Sequence, residues 1–198
     1  MCRRAFVRIA KSNFWLCFAV DLEPGWSYNE VAGYMNRALV LACGNPHRGD
    51  DGAALFLARY LQAGFCDPQT EILSLPHLTP DLIDKMSKAD LVIIICASAS
   101  LFPGEVQLEP IVPAGKRSHA KTSDPVSPSE LLALSQQVYL RVPDEVYLLS
   151  IGGESFGQAE QLSEPVRLAI PAALTQIKAL LSGVSLPNQS VLSKTASF

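Results

Sequence analysis

Two short, unbroken apolar runs restrict what this chain can become more than any other feature. Ala38-Leu39-Val40-Leu41-Ala42-Cys43 runs directly into the turn-rich Gly44-Asn45-Pro46. Asp90-Leu91-Val92-Ile93-Ile94-Ile95-Cys96 is the most apolar stretch of the sequence. Neither run alternates. A strand with one wet face shows a polar residue at every second position, so a run without them needs cover on both faces, as in a parallel sheet layered by helices. Thr70 to Leu75 and Glu145 to Ile151 read as two more strands, and Glu105 to Val112 alternates like a half-exposed one after the Pro103-Gly104 turn. Helical segments fill the gaps. One spans Asp51 to Ala63, with Asp50 as cap and Ala54, Leu55, Ala58 and Leu61 on one face. Another runs from Thr79-Pro80 to about Ser87, with Thr79 as N-cap and the proline in the first turn. A third starts at Ser127-Pro128-Ser129-Glu130 and ends near Val138, and the last opens at Ser163-Glu164-Pro165 and ends near Ser182. Strands alternating with helices imply an α/β domain: a single doubly wound, mostly parallel sheet with helices on both faces, one added edge strand and right-handed crossovers.

Length and composition agree. The 198 residues suit one domain, and with 48% hydrophobic and 18% charged residues the chain can bury a core. The formal net charge is −3 and there is no basic patch, which argues against a nucleic-acid partner. The five cysteines (Cys2, Cys17, Cys43, Cys66 and Cys96) form no CxxC pair, so neither a zinc knuckle nor a thioredoxin motif is present. An odd count without a framework suits a reducing, cytoplasmic setting, with most of the thiols as small core residues. The apolar run Phe14 to Val20 is shorter than the roughly 20 residues that span a bilayer, and no small-residue cleavage site follows it. The expected organisation is an extension over 1–34 that is disordered or not native, a domain beginning at Met35 and running to 182, and a polar tail over 183–198. A targeting role for 1–34 is the rival reading.

In an open α/β sheet, ligands bind beyond the carboxyl ends of the strands, where the strand order reverses. The loops after the first and third strands of the domain, Gly44 to Asp51 and Cys96 to Gly104, commonly meet there. That brings Asp51 and Cys96 towards one crevice. The first loop lacks both GxGxxG and GxxxxGK[ST], and two aspartates at its helix start would repel a phosphate. One carboxylate is enough for a helix cap, so the second invites another role. Cys96 also reads as a plain buried thiol at the end of a hydrocarbon strand. His47, His77 and His119 show no metal spacing such as HExxH, and no GxSxG elbow marks a serine hydrolase.

Gly44-Asn45-Pro46-His47-Arg48-Gly49-Asp50-Asp51-Gly52 resembles the GNxxxxDDG signature of the hydrogenase maturation endopeptidases. Further segments follow in that family's order: His77-Leu78-Thr79-Pro80-Asp81-Leu82, Pro103-Gly104-Glu105-Val106, Ser127 to Leu134, and Gly152-Gly153-Glu154-Ser155-Phe156 followed by Leu162-Ser163. The resemblance covers nearly all of 35–182. It implies an aspartic-type endopeptidase that removes the C-terminal extension of a nickel–iron hydrogenase large-subunit precursor. On that reading the nickel belongs to the substrate, no tightly bound cofactor is needed, and neither membrane nor nucleic acid is a partner. The family's site combines an acid in the first loop, an aspartate ending the third strand and a histidine in the later polar loop. The acid carries over to Asp51. The aspartate position falls on Cys96, a departure. The histidine position falls on Asp124 by count, or on His119 if the loop carries an insertion. A carboxylate, a thiolate and an imidazole can each ligate a borderline divalent metal. The changed set leaves an alternative: a non-catalytic relative that binds the precursor as an assembly factor. An unrelated activity on the same fold is a third reading.

Overall fold

The computed structural model describes residues 4–11, 14–21, 37–64, 67–114, 125–139 and 142–182. The first two strands, β1 (Arg4–Lys11) and β2 (Phe14–Asp21), pair antiparallel with Arg4 opposite Asp21 and Lys11 opposite Phe14. They form a two-stranded sheet of their own. The apolar run at Phe14 is thus one arm of a hairpin.

The main sheet holds β3 (Ala38–Cys43), β4 (Thr70–Leu75), β5 (Leu91–Ser98), β6 (Val106–Pro110) and β7 (Glu145–Gly152), in the order β4-β3-β5-β7-β6. All neighbours are parallel except β6, which pairs antiparallel with β7 at the edge. The chain steps from β3 outward to β4 and then returns to the other side of β3 for β5. The strand order therefore reverses between β3 and β5, and the carboxyl ends of these two strands frame the crevice.

The unalternating runs are explained by the layers. Among the described residues four α-helices cover the sheet: α1 (Ala53–Gly64), α2 (Ile83–Met86), α3 (Pro128–Val138) and α4 (Glu164–Leu181). On one face Val40, Ala42, Ile93 and Ile95 pack with Leu57 and Leu61 of α1 and Ala173 and Ile177 of α4. On the other, Leu39, Leu41, Val92 and Ile94 pack with Met86 of α2 and Leu131 and Leu132 of α3. Successive residues of β3 and β5 face opposite layers, and both layers are apolar, so Leu39 to Ala42 and Val92 to Ile95 leave no place for a polar side chain. Each large side chain buried there contributes about 1.5–3 kcal/mol.

Several local expectations need adjusting. Leu57, rather than Leu55, completes the buried stripe of α1; Leu55 is half-buried. The helix that follows β3 begins as a 3₁₀ turn over Gly49–Gly52, and Asp50 does not cap it; Arg48 holds the N-cap position without a side-chain bond. Thr79 occupies its N-cap position, but its hydroxyl bonds Asp81 instead of a backbone N–H. Ser127 forms a full capping box: Glu130 N–H donates to its Oγ at 3.3 Å, and the Ser127 N–H donates to the Glu130 carboxylate at 3.0 Å. No helix among the described residues is long and apolar enough to cross a membrane.

Both core clusters draw their described residues from Ala38 onward. A two-stranded hairpin by itself is marginal in water. A chain starting at Met35 is expected to unfold cooperatively, with a melting temperature within a few degrees of the full chain. Aggregation or a non-cooperative melt of the shortened chain would show that the hairpin belongs to the core.

Candidate functional site

The loop after β3 folds back on itself. Gly44 N–H donates to Leu75 O at 3.0 Å, and the carbonyl oxygen of Asp51 lies 1.9 Å from where a Cβ on Gly44 would sit. Only glycine permits that approach. Asn45 then turns the chain: its Oδ1 accepts the His47 N–H at 2.9 Å, and its own N–H donates to Asp51 Oδ2 at 3.2 Å. Asp51 is half-buried at the carboxyl end of β3, with its carboxylate held by the loop it terminates.

Asp50 has a different task. It is fully buried, and its carboxylate accepts three backbone N–H groups: Glu154 at 2.8 Å and Ser155 at 2.9 Å on Oδ2, and Ser163 at 2.7 Å on Oδ1. Burial pushes its carboxyl up, but the backbone donors of Ser155, Ser163 and Glu154 outweigh it and hold it below the ordinary aspartate range. Gly49, at φ +56°, approaches within 2.7 Å of Ser155 O at the position of a missing Cβ. Its N–H donates to Ala159 O at 2.7 Å, and Asp50 N–H donates to Ser155 O at 2.9 Å. The adjacent aspartates thus split their roles. Asp50 bolts the first loop to the segment between β7 and α4, and Asp51 is left facing the crevice.

Cys96 lies half-buried on β5, one residue beyond the last β3–β5 pairing of Ala42 with Ile95. Its Sγ is 3.9 Å from Oγ of Ser150, its register partner on β7. Burial raises the Cys96 thiol; the Ser150 contact opposes this, and the negative charges of Asp51 and Glu109 add to it. Cys43, buried at the end of β3, is pushed up to about 12 by burial and by Cys96. Burial thus disfavours the thiolate of both cysteines, and Cys96, near Asp51, is a weak nucleophile.

Asp51 and Cys96 thus come to the same end of neighbouring strands. His119 and Asp124, the other two site candidates, lie outside the described residues. His47 is exposed, with Nδ1 3.7 Å from Glu160 Oε1, and His77 is exposed as well. Among the described residues no group of three or more His, Cys, Asp or Glu side chains could hold a metal ion. Sequence reasoning missed the task of Asp50, the Ser150 contact and the wall formed by residues 153–163. Only the Gly152-Gly153 break hinted at the last, because the donors to Asp50 are backbone groups that no side-chain pattern reports.

Replacing Asp50 by Asn puts an amide where three N–H groups converge, so at least one donor loses its acceptor. The expected loss is about 3 kcal/mol at pH 7. Because the folded carboxyl titrates below the unfolded one, its stabilisation is complete above about pH 4 and disappears as pH falls through the folded value. Urea unfolding at neutral pH and at pH 3 checks both points: the gap between the wild type and Asp50→Asn narrows in acid. An equal gap at both would remove the carboxylate charge from the account.

No family model matches the chain, and no curated protein matches it. Solved structures do. The hydrogenase maturating endopeptidase HybD from Escherichia coli is similar with a TM-score of 0.60 at 22% identity, over 74% of this chain and 93% of that one. The solution structure of an endopeptidase from Escherichia coli gives 0.60 at 24%, over 76% and 94%. The [NiFe] hydrogenase maturation protease HycI from Thermococcus kodakarensis gives 0.57 at 20%, over 77% and 97%. The likeness takes in nearly the whole of each of those chains, and the protein has the fold of the hydrogenase maturation endopeptidases.

Proposed function

We propose that this protein is a cytoplasmic endopeptidase that removes the C-terminal extension of a nickel–iron hydrogenase large-subunit precursor after nickel insertion. The observation that carries the reading is the pairing of Asp51 with the ends of β3 and β5, at the reversal of strand order, on the fold of known maturation peptidases. Asp51 is the residue suited to meet the substrate's nickel, since a carboxylate is a competent ligand for a borderline divalent ion. Its Asn45 N–H bond leaves further lone pairs to bind the ion or to orient a water for attack. Asp124 or His119 would complete the site, with Cys96 as a third group.

One observation favours a second reading. The Cys96 thiol is held protonated, so at neutral pH this position offers neither a carboxylate nor a ready thiolate. A protein of this fold that docks the precursor without cutting it fits that feature.

Two substitutions separate the readings. Asp51→Ala is expected to abolish precursor processing at a stability cost of about 1 kcal/mol, because the Asp50 bolt stays intact. The readout is the mobility shift of a nickel-loaded large subunit on a gel, beside a melt. Full processing by the variant would take Asp51 out of the site. Cys96→Asp is expected to raise processing, at a stability cost of about 1–3 kcal/mol from a carboxylate placed half-buried near Asp51. If neither the wild type nor Cys96→Asp processes the precursor but both bind it, the assembly-factor reading stands and the peptidase reading falls.

A further inference from the structure

Next to Asp51 the surface opens into a cleft of about 590 Å³. Asn45, His47 and Arg48 of the first loop form one wall, and Phe156, Gln158 and Glu160 of the segment after β7 form the other. The walls are stitched together. Arg48 and Ala159 make a parallel bridge, Gly49 N–H donates to Ala159 O at 2.7 Å, and Ala159 N–H donates to His47 O at 3.2 Å. With the Asp50 bonds beneath them, these contacts make the cleft a preformed cup rather than a gap between loose loops.

Its polar groups are mostly donors. The Arg48 guanidinium has no ion pair among the described residues. The Asn45 Oδ1 is already occupied by the His47 N–H, so its amide NH₂ is the end left to bind a ligand. Gln158 adds another amide. The single carboxylate, Glu160, already faces His47. Half-buried Phe156 supplies an apolar surface. A planar guanidinium beside amide donors suits a carboxylate, which can accept two parallel hydrogen bonds from it. Asn45 also bonds Asp51, so whatever fills the cleft borders the candidate site.

We infer that this cleft is a subsite for a carboxylate borne by the peptide substrate, with Arg48 as its specificity-determining residue. The inference rests on the peptidase reading only in taking the ligand to be a peptide. The carboxylate comes either from an acidic side chain or from the chain end, and the test tells these apart. Three alanine–leucine peptides carrying an uncharged BODIPY label on the blocked amino end are compared by polarisation against the full chain. One has an internal glutamate and an amidated end, one an internal glutamine and a free carboxyl end, and one a glutamine and an amidated end.

At least one of the two acidic peptides is expected to bind about tenfold more tightly than the neutral one, the effect of one charge-assisted pair. Whichever does so identifies the source of the carboxylate. Arg48→Gln is expected to remove that preference while melting like the wild type, since Arg48 is exposed. Equal binding of all three peptides, or a preference that survives Arg48→Gln, would overturn the inference. The readout needs neither precursor nor cleavage. Processing of the precursor without a carboxylate preference therefore sinks the subsite alone, and the preference without processing sinks the peptidase reading alone.

Discussion

One buried carboxylate holds the functional end of this molecule together. Asp50 sits out of water, where an ion without partners would cost several kcal/mol, and it stays charged because three backbone N–H groups converge on it. Those groups come from the exit of β7 and from Ser163, the residue that opens α4. A single side chain thus satisfies donors that neither sheet nor helix can satisfy, and in doing so fixes the first loop against the last crossover. The orientation of Asp51, next in the chain and part of the same 3₁₀ turn, is a consequence of that anchor.

The crevice has an electrostatic character of its own. Two thiols lie towards the ends of β3 and β5, Cys96 under the field of Asp51 and Cys43 beside Cys96, and burial pushes both up. With the Cys96 thiol pushed up, the site's anionic character is concentrated on Asp51. On the wall beside it the balance is the opposite: Arg48, Asn45 and Gln158 present donors, and the one acid there is engaged with a histidine. A peptide crossing from one to the other would meet an acceptor at the crevice and donors in the cleft, which gives it a direction.

Position in the sheet explains why these features meet. The strand order reverses between β3 and β5, and the loops that leave their carboxyl ends carry the polar groups of the crevice. The antiparallel β6 extends the sheet beyond β7 and brings Glu109 close enough to act on Cys96.

What the sequence determined by itself was whatever depends on local pattern. The unalternating runs at Leu39 and Ile93 demanded cover on both faces, and Pro103-Gly104, Ser127-Pro128 and Gly152-Gly153 marked where elements end or begin. From these the doubly wound sheet, its added edge strand and the approach of Asp51 to Cys96 were legible, because alternating strands and helices imply a parallel sheet whose first and third loops share a crevice; that the edge strand runs antiparallel came from the tertiary structure. Which of two adjacent aspartates would be buried was not legible. The donors that claim Asp50 are backbone groups more than a hundred residues away, and every residue carries the same N–H. The state of Cys96 was equally closed to inspection, since a thiol's protonation depends on burial and on charges brought in by other strands. The cleft at Arg48 belongs to the tertiary structure alone, because its two walls come from loops that meet only once β3 and β7 lie in one sheet.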